Sequence, residues 1–164
     1  MNKEEIMLGL FSPVKEKHDV TKLEIRALPK DRPTERGALQ LKAGIYNVAI
    51  SAGMLCGNEN GISLMERRFA SLITAFPEIS EHYESLPEEE KRIMAVALYP
   101  EIFMRVHFYV TYCKELAEAE KEGNAEKLFK ARIKKEVLGE ILDTWRTFRV
   151  QHGLFAFAFA DKGE

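Results

Sequence analysis

The chain has 164 residues, of which 46% are hydrophobic and 30% are charged, and its formal net charge is −2. This composition is typical of one soluble globular domain with a sizeable core, and the acidic balance argues against a general nucleic-acid binder, which needs a concentrated basic patch. Two glutamates precede the short apolar run at the start, and the longest apolar run, 43–56, is too short to span a bilayer, so we expect neither a signal peptide nor membrane association.

The first 37 residues are predicted to form an arm that differs from the rest of the chain. In residues 22–28 apolar and charged side chains alternate, which is the pattern of a half-buried strand with Leu23 and Ile25 on its apolar side. The polar stretch 29–34 contains two prolines and predicts a hinge. We expect the arm to fold back or to lie on a partner, with Leu23 and Ile25 as partner-binding residues.

A helical domain is predicted for residues 38–152. Its first helix, 38–56, has an apolar stripe, and Gly44 and Gly53 on it leave room for another backbone to come close. Two further helices are predicted to follow, because Ser63 and Ser85 each stand three residues before a glutamate, the spacing of a capping box.

The most apolar stretch, 93–116, is predicted to be the centre of the core. Pro100 lacks the amide that an interior helical turn requires, so we place a helix boundary at Tyr99. The helix after this boundary is apolar around most of its circumference, which indicates contact with several neighbouring elements. A charge introduced at Val106 should therefore prevent stable folding.

Gly123 and Asn124 predict the end of this rod and the cap of the next helix, which runs from Ala125 to about His152. Such a short connection requires the two helices to form an antiparallel hairpin.

The last segment, 153–164, is predicted to be an extended aromatic tail. Phe155, Phe157 and Phe159 alternate with alanines, so their rings point the same way only if the backbone is extended. We predict that these rings are partner-binding anchors of a terminal strand that can add to the sheet edge of another subunit. The alternative is that the segment folds back over its own domain.

The sequence contains no motif that identifies a reaction. The histidines lie far apart, and none has the spacing of a metal-binding pair, so we expect neither a metal nor a cofactor. Cys56 and Cys113 lie in apolar helical patterns, which predicts buried, reduced thiols in a cytoplasmic environment. An alternative ligand-binding site would consist of Arg105 and His107 in the rod, together with Tyr109 and Tyr112.

These patterns together predict a mainly α fold, a compact bundle of about five helices with short extended segments at both termini. The leading functional hypothesis is a non-enzymatic protein that acts by protein contacts, as an adaptor, assembly factor or inhibitor, and that associates with itself. The alternative is a small-molecule-binding protein or enzyme with a pocket beside Arg105 and His107. A helix-turn-helix DNA-binding regulator ranks third, because no helix is clearly basic.

Overall fold

The computed structural model describes residues 1–54 and 59–155, and these residues form a helical bundle, which confirms the predicted mainly α fold. No strand occurs within these two ranges. The elements, in chain order, are α1 (Lys3–Ala27), α2 (Pro33–Met54), α3 (Glu59–Leu72), a short 3-10 turn (Ile73–Ala75), α4 (Pro77–Glu84), α5 (Glu88–Met104), a π-helical segment (Arg105–Tyr109), α6 (Val110–Glu122) and α7 (Ala125–Gln151).

The helix α1 begins at a capping box that the sequence analysis did not identify. The side chain of Asn2 accepts a hydrogen bond from the amide of Glu5 at 2.9 Å, and the carboxylate of Glu5 accepts one from the amide of Asn2 at 3.1 Å. Apolar residues spaced by four then form the buried side of the helix, which consists of Ile6, Leu10 and Val14.

The predicted strand at residues 22–28 is wrong, because residues up to Ala27 continue α1. The alternation there covers only seven residues, whereas the helical periodicity that starts at Ile6 buries side chains of α1 as far as Thr21. The helix leaves Leu23 61% exposed and Ile25 half-buried. The predicted extended segment at the N-terminus is therefore a long helix, and its residues supply part of the core.

The predicted helix boundary at Tyr99 is also wrong, because α5, the π-helical segment and α6 form one continuous rod from Glu88 to Glu122. Pro100 lies inside α5 and is buried. Proline in a helix interior costs about 3 kcal/mol, and complete burial of large neighbours such as Leu98 and Ile102 offsets this cost.

By length and composition alone, the rod is long and apolar enough to cross a membrane. Inside the protein, 56% of its most apolar 18-residue stretch is buried. Core helices of soluble proteins meet the same criterion, so this property does not assign the protein to a membrane.

The predicted hairpin between the rod and α7 is confirmed. Gly123 has φ 64°, and its amide donates to the carbonyl of Ala119 at 3.1 Å, which ends α6. Asn124 then caps α7 by accepting a hydrogen bond from the amide of Lys127 at 3.1 Å.

Ion pairs link the two arms of this hairpin at increasing distances from its turn. The pairs are Glu122 with Lys127, Glu115 with Lys134, and Glu101 with Arg149, which are separated by 5, 19 and 48 residues in the sequence. From one pair to the next, the partner on the rod lies closer to the N-terminus and the partner on α7 lies closer to the C-terminus. The two arms are therefore antiparallel over most of the length of α7.

The helix α7 ends in a turn that reverses the chain. The amide of Leu154 donates to the carbonyl of Arg149 at 2.8 Å, the amide of Gly153 donates to the carbonyl of Val150 at 3.2 Å, and Gly153 has φ 64°. These two bonds and the left-handed glycine define a Schellman motif. The next residue, Phe155, packs half-buried against the core. Most of the predicted tail, including Phe157 and Phe159, lies outside the described residues, as does Cys56.

Candidate functional site

Arg105, the first residue of the alternative ligand site, is part of a buried ion cluster. Its Nε lies 3.6 Å from a carboxylate oxygen of Glu101, one helical turn earlier. Its guanidinium also lies 5.7 Å from the centre of the Tyr109 ring, within range of a cation–π interaction. The acidic partner that this partly buried arginine requires is therefore supplied within the rod itself.

Glu101 and Arg149, which sequence reasoning missed, form the centre of this cluster. The two guanidinium Nη atoms of Arg149 donate to the two carboxylate oxygens of Glu101, each at 3.2 Å, and both side chains are completely buried. The signal that could have identified Glu101 is that it is the only acidic residue between positions 93 and 114 of the sequence. Both side chains are completely buried and paired with each other, so the pair holds α7 against the rod.

His107 and Val106 lie on the surface of the rod. The imidazole of His107 packs against the ring of Phe103, with 4.7 Å between the ring centres, and is exposed. Val106 is 38% exposed, and the whole π-helical segment contains no fully buried residue. The predicted burial of Val106 is therefore wrong, because α7 covers only one side of the rod here and a uniformly apolar sequence does not specify which side.

Tyr112, the last residue of the alternative site, belongs to the interface between α6 and α7. The ammonium of Lys134 lies 5.6 Å from the centre of its ring, and the ring of Phe108 packs 6.2 Å away. Burial, and then the charge of Glu115, raise the pKa of the Tyr112 phenol above its ordinary value of 10.0. A phenol with a raised pKa stays protonated at neutral pH.

The structure brings Arg105 together with Tyr109 but directs His107 and Tyr112 to different neighbours. Grooves of about 310 to 770 Å³ open elsewhere among the described residues. One of about 770 Å³ lies between the beginnings of α2 and α7 and is lined by Leu41 and Phe129 among others. Within the described ranges, the side chains of His, Cys, Asp and Glu do not form a cluster of three or more that could hold a metal ion.

The partner-binding residues predicted at the two termini differ in exposure. Leu23 projects from the last turns of α1, whereas Ile25 is half-buried. Phe155 lies against its own domain, with its ring centre 6.1 Å from that of His82 in α4. For Phe157 and Phe159 the partner-binding role stays a prediction, because they lie outside the described residues.

The best exposed apolar surface on the rod is made by residues spaced three and four apart. We call it the rod face, and it consists of Phe103, Val106, His107 and Val110. All four are half-buried or exposed, although they lie in the most apolar part of the sequence. Comparisons of the chain with protein-family models, with curated proteins and with solved structures found no match, so these surfaces are interpreted from their own geometry.

Proposed function

We propose that this protein works by contacts with other protein chains, as an adaptor, assembly factor or inhibitor, and that two copies of it associate through the rod face. The observation that carries the proposal is the exposure of Val106 and His107 in the middle of the rod. Burial of apolar surface contributes about 25 cal/mol per Å². A partner that covers the rod face would therefore gain free energy that the isolated chain does not.

A second copy of the chain is the occupant that fits this surface most directly. The rod face contains two valines, a phenylalanine and a histidine, so two such faces meet without a lysine, arginine or carboxylate at their centre. In a two-fold dimer the same patch serves both subunits, and the two valines and the phenylalanine of one copy can pack against those of the other.

The mass of the protein in solution tests this proposal. Val106→Asp should lower the mass measured by light scattering, because it would bury a charge in the dimer interface. The melting temperature of the isolated chain should change little, since the side chain is already exposed. Val150→Asp is the matched control, because Val150 is 55% exposed on α7 and outside the rod face; it should leave the mass unchanged.

Two outcomes would contradict the proposal. A wild-type chain that stays monomeric at all accessible concentrations would exclude self-association. A photoreactive amino acid at position 106 that cross-links to no protein in cells would exclude the wider adaptor or inhibitor role of the rod face.

A further inference from the structure

The apolar ridge of α7 continues into the groove between the beginnings of α2 and α7. Four residues of this ridge are buried inside the protein, namely Ile133, Val137, Ile141 and Trp145. Phe129 lies four residues before Ile133 and extends the same ridge, but it is 46% exposed and lines the groove. The ridge therefore extends about one turn beyond the part that the other helices of the chain cover.

The opposite wall of the groove, on α2, consists largely of small and apolar residues. Ala38 and Leu41 are half-buried there, and Gly37 has no side chain. A Cβ at Gly37 would meet no atom within 4 Å, so the space in front of this residue is open. The groove volume of about 770 Å³ lies in the range of about 300–1,000 Å³ that is typical of small-molecule sites.

The groove is elongated along both helices. Its lining residues extend from Pro33 to Leu41 on α2 and from Glu126 to Lys134 on α7, which is eight positions on each helix. At a rise of about 1.5 Å per residue, each wall is about 12 Å long. An apolar groove of this shape fits an unbranched aliphatic chain.

The wall on α7 also carries cationic side chains. The ammonium of Lys134 is bound to Glu115 at 3.1 Å and lies over the ring of Tyr112, so it already has partners. Lys130 pairs with Glu126 at 3.2 Å, but both of these side chains are mostly exposed, and an exposed ion pair contributes little. Lys130 can therefore turn to a bound anion at little cost.

We propose that this groove binds a medium-chain aliphatic carboxylate, with the aliphatic chain against Phe129 and Leu41 and the carboxylate bound by Lys130. The chain would cover the exposed part of Phe129, and burial of both apolar surfaces stabilises the complex. The ammonium supplies a charge-assisted hydrogen bond to the carboxylate. The groove residues do not belong to the rod face, so this proposal does not depend on self-association.

Titration calorimetry with decanoate tests the proposal. Gly37→Leu should fill the groove without a clash and raise the Kd of decanoate at least about tenfold, which is the effect of displacing roughly two methylene groups. Gly44→Leu is the matched control, because a Cβ there also meets no atom within 4 Å and Gly44 does not line the groove. The control should bind decanoate as tightly as the wild type.

A second pair of variants tests the role of the ammonium. Lys130→Gln should raise the Kd of decanoate about threefold, the effect of one exposed ion pair, and should leave the Kd of decanol unchanged because decanol has no charge. Lys127→Gln is the control, since Lys127 pairs with Glu122 and does not line the groove. It should change neither Kd.

The proposal is overturned if the wild-type chain does not bind decanoate, or if Gly37→Leu or Lys130→Gln binds it as tightly as the wild type. Gly37→Leu that lowers the mass in light scattering but keeps its affinity for decanoate would show that a second copy fills the groove instead. If Gly37→Leu loses its helical circular dichroism, Phe129→Asp takes its place, because Phe129 lies outside the buried core. Decanoate binding that survives this variant would equally refute the site.

Discussion

Arg149 and Glu101 meet as a completely buried bidentate ion pair that joins the last turns of α7 to the middle of the rod. Each partner satisfies the charge of the other, and the two parallel hydrogen bonds require both planar groups to lie in register. A shift of α7 along the rod would leave the guanidinium of Arg149 buried without its partner and Glu101 with Arg105 alone. The pair therefore specifies how the two arms of the hairpin align.

We expect Arg149→Met to lower the free energy of unfolding by about 3–5 kcal/mol, because it leaves the carboxylate of Glu101 buried with too few partners. Urea denaturation followed by circular dichroism measures the change. The double variant Glu101→Met, Arg149→Met should recover much of the loss, since it removes both charges. A double variant less stable than Arg149→Met would show that the loss does not come from leaving the Glu101 carboxylate buried with too few partners.

Gly53 and Gly44 on α2 should respond oppositely to alanine. A Cβ at Gly53 would lie 2.5 Å from Cζ of Phe11, whereas a Cβ at Gly44 would meet no atom within 4 Å. Gly53→Ala should therefore destabilise the protein by about 1–3 kcal/mol through overpacking against α1. Gly44→Ala should stabilise it by about 0.5–1 kcal/mol through higher helix propensity. Thermal denaturation of the two variants measures both signs, and equal effects would contradict the packing of α1 on α2.

The indole of Trp145 should contribute a hydrogen bond as well as its volume. Its Nε1 donates to the carbonyl of Leu10 at 2.8 Å, and the contact is buried. Trp145→Phe removes the donor and leaves a gap, so we expect a loss of about 2–4 kcal/mol in the free energy of unfolding. Denaturation followed by circular dichroism measures this loss, since the variant has no tryptophan fluorescence. An unchanged midpoint would show that α7 does not contact α1 as described.

Raised tyrosine pKa values predict a loss of stability in alkali. Burial, followed by nearby glutamates, raises the pKa of Tyr46, Tyr83 and Tyr112 above 10.0. Below that pH the phenols are neutral in both the folded and the unfolded chain, so they add no pH dependence. At higher pH the unfolded chain loses its protons first, and stability falls as the pH rises through the folded pKa.

Urea midpoints measured from neutral pH to above pH 10 should therefore decline, and phenolate absorbance should rise as the chain unfolds. The variant Tyr112→Phe should make the decline shallower. A decline of the same steepness in this variant would show that the Tyr112 phenol does not contribute.

Local signals in the sequence predicted the fold where a few adjacent residues determine it. Gly123 and Asn124 are sufficient to end one helix and cap the next, so the hairpin was predicted correctly. Residues 22–28 misled because a short alternation competes with the periodicity of a 25-residue helix that is already packed in the core. The helix boundary predicted from Pro100 was wrong because the proline alone does not reveal how much free energy the burial of its neighbours contributes.

The candidate site was less predictable because it depends on contacts between distant residues. Glu101 and Arg149 are 48 residues apart, and their pairing follows from the register of the two helices, which composition does not give. Val106 lies within the most apolar stretch of the sequence, yet its exposure depends on which side of the rod α7 covers. Burial on one side of a uniformly apolar helix is a property of the assembled bundle.

The antiparallel pairing of the rod with α7 also implies an order of folding. The partners of the three ion pairs are 5, 19 and 48 positions apart in the sequence, so each pair shortens the loop that the next must close. Loop-closure entropy rises only slowly with length, and a hairpin that closes stepwise from its turn never forms a large loop in one event. We therefore expect the helices to zip from Asn124 outwards, with the buried contact between Glu101 and Arg149 forming last and the ends of the bundle opening first when the protein unfolds.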